Sequence, residues 1–346
     1  MFFTLTIELK MAETAKTLKK LLMKRIDVPI YVWGPPGIGK SDVIKQVGKE
    51  LGVDVIDIRL SLMDPTDLRG VPMIIDGEAK WVKPSFLPKK ENSIMFFDEL
   101  NHAPPSVQSA AYQIILDGRI GEHTLPDNTI RIAAGNQKGD GILGYDLPLP
   151  LKNRFVHIEM RCDSDAWLEW AEEEGIDARI IAFIYSKPEL LMDLPKGQET
   201  QKAYGFPTPR SWAFTSTIIK GTEDLNELRS MVEGAIGKKT ASIFLTHIRM
   251  VSEYKSPQFI LDNPTYVDKD LDRSILWSIL SSVAHIVTQN KIDEFTALMS
   301  NPAIPAELTA YTFRLATNKY NKRYLLTSEL VNMFLSKEEV ALSMGS

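Results

Sequence analysis

Gly34-Pro35-Pro36-Gly37-Ile38-Gly39-Lys40-Ser41 lies between the apolar run Ile30-Tyr31-Val32-Trp33 and a helical pattern carried by Val43, Ile44, Val47 and Leu51. The order reads as strand, phosphate loop, helix. In such a loop, glycines let successive backbone N–H groups turn inward around phosphate, a lysine reaches the β/γ oxygens and the hydroxyl that follows ligates Mg²⁺. The positive end of the helix adds to anion binding. A Gly/Pro turn that binds nothing is the alternative, and the context on both sides argues against it.

Working outward, Val53 to Leu60 reads as a second strand, bounded by Gly52 and by Asp64-Pro65. Strand and helix alternate, which favours a parallel sheet. Met73-Ile74-Ile75 and Ala79-Lys80-Trp81-Val82 flank Asp76-Gly77, the dipeptide best suited to a tight hairpin. Ile94-Met95-Phe96-Phe97 is a continuous apolar run of buried-strand type and ends in Asp98-Glu99. Burying unpaired carboxylates is costly, and a metal ion with a polarised water supplies a partner. Asp98 is therefore assigned to Mg²⁺, through water, and Glu99 to activating the attacking water. An Asp/Glu pair capping the helix near Pro104-Pro105 is the competing reading.

A helix over Ser106 to Leu116, a short hairpin over Arg119 to Leu125 and a strand over Thr129 to Ala134 follow. That strand runs into Gly135-Asn136, placing an amide at the sheet edge that carries Lys40 and Glu99, where open α/β sheets hold ligands. Asn136-Gln137-Lys138-Gly139-Asp140 is out of step by one place with the guanine-reading N-K-x-D, so adenine is expected. Lys152-Asn153-Arg154-Phe155 precedes a last short strand, Val156 to Met160. Short helices are expected over Asp165 to Glu174 and Asp177 to Tyr185, with another opening in Phe206 to Trp212. Ser256 to Asp270 has two prolines and little periodicity, so a boundary is placed there. The remainder is helical in pattern.

The chain has 346 residues, enough for two or three domains, with 44% hydrophobic and 25% charged residues. No apolar stretch reaches membrane-spanning length. The first ten residues alternate in a strand pattern rather than forming a signal-peptide core, and a cytoplasmic protein is expected. The single cysteine, Cys162, excludes a disulfide framework or a cysteine zinc site, and reads as a small half-buried apolar residue. A net charge of −5 and a pI near 5.7 disfavour a dominant phosphate-backbone footprint.

With the loop, Asp98-Glu99, Asn136, Arg154 and Arg210 in that order, the chain resembles the AAA+ ATPases, and within them the MoxR-like group of the helix-2-insert clade. The most specific stretch is Phe97-Asp98-Glu99-Leu100-Asn101-His102-Ala103-Pro104-Pro105-Ser106-Val107-Gln108, similar to the MoxR-type D-E-[IL]-N-R-A-P-P-x-V-Q. The resemblance implies an α/β fold: a P-loop AAA+ core with a five-stranded parallel sheet over residues 1–160, an α-helical lid over 161–255 and a C-terminal helical extension over 256–346. It implies Gly34, Pro35, Pro36, Gly37, Ile38, Gly39, Lys40 and Ser41 as Walker A, and Asp98 and Glu99 as Walker B. Asn136 resembles sensor 1, which positions the lytic water. Arg210 resembles sensor 2, and Arg154 the arginine finger that reaches a neighbouring subunit's γ-phosphate. The Met73 to Val82 and Arg119 to Leu125 hairpins resemble inserts of the clade. The implied activity is Mg²⁺-dependent ATP hydrolysis by a homo-oligomeric ring, a hexamer, that remodels a client, often one with a von Willebrand factor A domain. A nucleic-acid motor or loader on the same ring is the alternative, for which Lys80, Trp81 and Lys83 are the candidate contacts. A scaffold that binds ATP without turnover is a third, and Glu99 argues against it. His102 stands where the group has arginine and reads as an ordinary polar turn residue.

Overall fold

The computed structural model describes residues 7–10, 17–21, 23–24, 28–136, 145–195, 203–222, 225–268, 270–320 and 322–326, with 330 and 332. They contain ten strands: β1 (Ile7–Lys10), β2 (Ile30–Trp33), β3 (Val55–Arg59), β4 (Val71–Ile75), β5 (Glu78–Val82), β6 (Ile94–Asp98), β7 (Arg119–Ile120), β8 (His123–Thr124), β9 (Ile130–Gly135) and β10 (Val156–Arg161). Six of them form one sheet in the order β1-β10-β2-β9-β6-β3, parallel throughout. The five-stranded parallel core expected from the sequence is β3-β6-β9-β2-β10. β1 adds a sixth strand at its edge, from the stretch whose alternation reads as a strand.

Buried strands explain the apolar runs. Ile94, Met95, Phe96 and Phe97 of β6 are fully buried, as are Ile132, Ala133 and Ala134 of β9. Each large apolar side chain so buried contributes about 1.5–3 kcal/mol. The helix Lys40–Leu51 runs between two left-handed glycines, Gly39 and Gly52, and buries Val43, Ile44 and Val47. The helix Pro105–Asp117 has proline in its first turn and ends on Gly118, also left-handed. Its Val107, Ala111 and Ile114 join Tyr31, Phe97, Leu100 and Phe155 in one core.

The two hairpins fall where turn chemistry puts them. β4 and β5 pair antiparallel around Asp76-Gly77, both with positive φ, and β7 pairs with β8 around Gly121. Every residue of β4 and β5 is exposed, including Met73, Ile74 and Trp81.

The chain divides into two units, one reaching to Trp167 and including Thr208–Arg210, the other holding Leu168–Asp193 and the chain from Ser211 onward. In the second, Phe183, Trp212 and Phe244 pack ring on ring, with centroids 5.2–5.5 Å apart. Helices on both sides of residue 256 share this unit: Tyr185 stacks on Trp277 at 5.2 Å, and Tyr311 Oη donates to the Glu172 carboxylate. Within the proline-bearing stretch where a boundary is expected lies a helix, Pro257–Asp262. Ser256 caps it by accepting from Phe259 N at 3.2 Å.

Two buried histidines give the fold a pH dependence. Burial holds His157 and His247 below the ordinary imidazole value of 6.5. The unfolded chain takes up a proton near pH 6.5 while the folded chain does not, so stability is complete above that value and falls as pH drops below it. Each histidine contributes at most about 1.4 kcal/mol per pH unit. Denaturant midpoints are expected to be lower at pH 5.5 than at pH 7.5, and His247→Gln is expected to flatten the difference. Equal midpoints at the two pH values would contradict the burial argument.

Candidate active site

β2 delivers the chain into the loop. Gly34 N donates to Gly135 O at 3.3 Å, tying the loop's first residue to the end of β9. Gly37 and Gly39 have φ of 75° and 98°, conformations that a side chain would strain. Gly37 also lacks room for one: a Cβ there would lie 2.8 Å from Thr208 Oγ1. Two residues later, Arg210 N donates to Gly37 O at 3.2 Å. The helix Lys40–Leu51 starts directly after Gly39, so its first-turn amides border the loop.

Lys40 is buried, and its ammonium donates to Gly34 O at 2.6 Å, Pro35 O at 3.0 Å and Asn136 Oδ1 at 2.8 Å. The loop lysine and the amide at the end of β9 are therefore in direct contact. Ser41 Oγ donates to Asp98 Oδ2 at 3.0 Å, and Asp98 Oδ1 accepts from Glu99 N at 2.9 Å. The hydroxyl of the loop and the first carboxylate of β6 thus form one oxygen pair.

Glu99 has φ of 58°, a left-handed backbone that costs a non-glycine residue about 1–2 kcal/mol. Hydrogen bonds hold it there: its carbonyl accepts from His102 N at 2.9 Å and Ala103 N at 3.2 Å, and Leu100 N donates to Ala134 O at 3.0 Å. Its carboxylate accepts from Ser61 Oγ. Ser61 lies in a single turn, Leu60–Leu62, just past β3. Sequence reasoning did not single out Ser61. Its signal was position alone: a hydroxyl beyond the C-terminal end of a strand, at the edge where Asp98 and Asn136 also sit.

Asn101 was likewise not assigned a role. Its Nδ2 donates to Asn136 O at 2.8 Å, and its carbonyl accepts from Tyr145 N at 2.7 Å. A Cβ on Gly135 would lie 2.1 Å from Asn101 Oδ1 and 2.2 Å from Tyr31 Oη, so only glycine fits between them.

Loop residues Pro36 to Ser41, Asp98, Glu99, His102, Asn136 and Arg210 line one pocket. Three apolar strand ends and a helix start converge there on a lysine, two carboxylates, an amide and an arginine. That set can bind phosphate, hold a hard cation and deprotonate water. Arg154 lies elsewhere: it is exposed, on the turn after the helix Leu149–Lys152, where its N–H donates to Leu151 O at 3.0 Å. Gln137 to Asp140, read against a guanine motif, lies outside the described residues. No group of three or more metal-binding His, Cys, Asp or Glu occurs among the described residues. Burial pushes the Cys162 thiol up to about 11, consistent with an unreactive cysteine.

Residues 30–160 match the model of the "ATPase family associated with various cellular activities (AAA)". Midasin from Giardia intestinalis is 29% identical over 143 residues, 39% of this chain and 3% of that protein. An ATP-dependent Clp protease ATP-binding subunit ClpA homolog from Porphyra purpurea is 28% identical over 132 residues, 33% of this chain and 16% of that protein. The chain thus spans a small part of the length of these curated relatives. Among solved structures, a RuvB variant from Thermotoga maritima aligns with a TM-score of 0.38 at 14% identity, covering 82% of this chain and 84% of that one. NtrX from Brucella abortus in complex with ADP aligns with a TM-score of 0.40 at 12% identity, covering 95% and 68%.

Proposed function

We propose, starting from an ATP-hydrolysing enzyme with an AAA ATPase domain at residues 30–160, that this chain is a MoxR-type AAA+ ATPase. On this reading it closes into a homo-oligomeric ring, a hexamer, and uses ATP hydrolysis to remodel a partner protein. The observation that carries the reading is a split: Lys40, Ser41, Asp98, Glu99, Asn136 and Arg210 share one pocket, whereas Arg154 stands exposed outside it. A second subunit's Arg154 completes such a site.

Within one subunit, placement supports the following roles. Lys40 exchanges its contacts to Gly34 O, Pro35 O and Asn136 Oδ1 for β- and γ-phosphate oxygens, and the amides of Gly37 to Lys40 cradle the chain of phosphates. Glu99 takes a proton from the attacking water, and Asn136 holds that water in line. Arg210, and Arg154 from the neighbour, meet the charge that builds on the γ-phosphoryl oxygens. The Ser41 Oγ and Asp98 Oδ2 pair fits Mg²⁺, which takes a few protein oxygens alongside phosphate and retained waters. Bound there, with Asp98 acting through water, the ion would supply charge neutralisation for the phosphate oxygens.

The exposed β4–β5 hairpin suits the grip on the client. Val71, Met73, Ile74, Trp81 and Val82 outnumber Lys80 and Lys83 on it, which favours a protein client over a nucleic-acid strand. A client with a von Willebrand factor A domain is the partner that the MoxR resemblance suggests.

Because the composite site needs two copies, phosphate release per subunit is expected to rise with protein concentration and level off as rings fill. A rate per subunit that stays flat from dilute monomer to concentrated protein would overturn the ring reading.

A further inference from the structure

β2 and β10 are neighbours in the sheet, with Tyr31 opposite His157 and Trp33 opposite Glu159. Tyr31, Trp33, Phe155 and His157 form one ring cluster. Tyr31 stacks on Trp33 at 4.1 Å, Trp33 lies parallel to His157 at 6.0 Å, and Phe155 meets Tyr31 edge-on at 5.4 Å. Two hydrogen bonds cross the cluster. Trp33 Nε1 donates to His157 Nδ1 at 2.8 Å, and His157 Nε2 lies 2.6 Å from Lys152 O. The indole N–H can only donate, so Nδ1 is the acceptor, Nε2 carries the proton and the imidazole donates it to the Lys152 carbonyl.

The two ends of this path are informative. Trp33 is the residue directly before Gly34, the first of the phosphate loop. Lys152 opens the turn Lys152-Asn153-Arg154-Phe155, whose other end is fixed by the buried Phe155 ring. Asn153 and Arg154 are the two exposed residues between those anchors. We infer that Trp33 and His157 are positioning residues that lock the Arg154 turn onto the strand feeding the phosphate loop. A subunit's own nucleotide site thereby governs how it presents Arg154 to the next copy. This rests on Arg154 acting in trans, and it adds the route by which one site informs its neighbour.

The geometry predicts a directional defect. Trp33→Phe keeps the ring stack and deletes the donor, and His157→Asn keeps an acceptor for Trp33 and loses the reach to Lys152 O. Both variants are expected to bind ATP as the wild type does and to lose about tenfold to a hundredfold in turnover, the scale of an ångström-level misplacement of a reacting group. Mixing locates the damage. Glu99→Gln subunits supply a well-held Arg154 to Trp33→Phe subunits whose Glu99 is intact, so activity should rise above that of the diluted variant. Arg154→Ala subunits supply no arginine and receive only the misplaced one, so mixing with them should restore nothing.

The reverse pattern, rescue by Arg154→Ala and none by Glu99→Gln, would place the defect in the variant's own pocket and overturn the inference. So would wild-type turnover in either variant, loss of ATP binding, or failure of both variants to fold. Full turnover of Arg154→Ala on its own is a separate result and would remove the trans reading instead.

Discussion

Lys40→Ala is expected to lose ATP binding, while Glu99→Gln keeps it and loses turnover. The two side chains share a pocket but meet different species. The Lys40 ammonium already sits among oxygen acceptors and is the cation that ground-state phosphate would contact. Removing it takes away a charge-assisted contact made before and during reaction, so affinity falls. Glu99, in the same pocket, accepts from Ser61, and the chemistry proposed for it is on water. Glutamine keeps the shape and the hydrogen bond while removing the base, so binding stays within a few-fold of wild type. A proton transfer of this kind contributes on the order of 10²–10⁴ in rate. Titration with a fluorescent ATP analogue and phosphate release measure the two quantities separately. Equal affinity in wild type and Lys40→Ala would remove the loop assignment, and unimpaired release by Glu99→Gln would remove the base.

For Arg154→Ala the expected loss is on the order of 10³ or more in turnover, with ATP binding retained, because each subunit keeps its own loop and Lys40. The alanine side chain leaves the fold alone: Arg154 is exposed, and its turn is held by backbone bonds and by neighbouring side chains. Mixed with Glu99→Gln, it should regain activity. One variant provides the base and the other the arginine, so some interfaces hold a complete set. Recovery of a few per cent of wild-type turnover would stand far above either background. If Arg154→Ala alone turns over normally, or if mixing restores nothing while both variants assemble, Arg154 is not the finger.

The sequence was most legible where one residue type has one physical use. Gly37 and Gly39 adopt the positive φ that a phosphate loop demands, Asp76-Gly77 makes the hairpin turn, and the apolar run of β6 is buried to its end at Asp98. It was least legible where partners meet only after the sheet assembles. Ser61 reaches Glu99 because β3 lies beside β6 with Arg59 opposite Asp98, a register with no local signature. Trp33 and His157 are 124 positions apart in the chain and adjacent across two strands. Proline was ambiguous in a different way. Pro257 reads as a break, yet proline also suits a helix's first turn, and with Ser256 as cap it begins one. The aromatic stack of Tyr185 on Trp277 joins helices from either side of that stretch, a contact with no local signal.

The Lys40 contacts have a consequence for how the pocket fills. With its ammonium already satisfied by two loop carbonyls and the Asn136 amide, the resting pocket carries an internal surrogate for its ligand. Entry of a phosphate chain is then a substitution: the affinity measured is the difference between two sets of contacts to one cation, and it is lower than the new set alone would give. Among the groups released in that exchange, the Asn136 amide is the one side chain. On the proposed reading, Asn136 would turn toward water once phosphate takes its place on Lys40, which would join loading and arming of the site in one event.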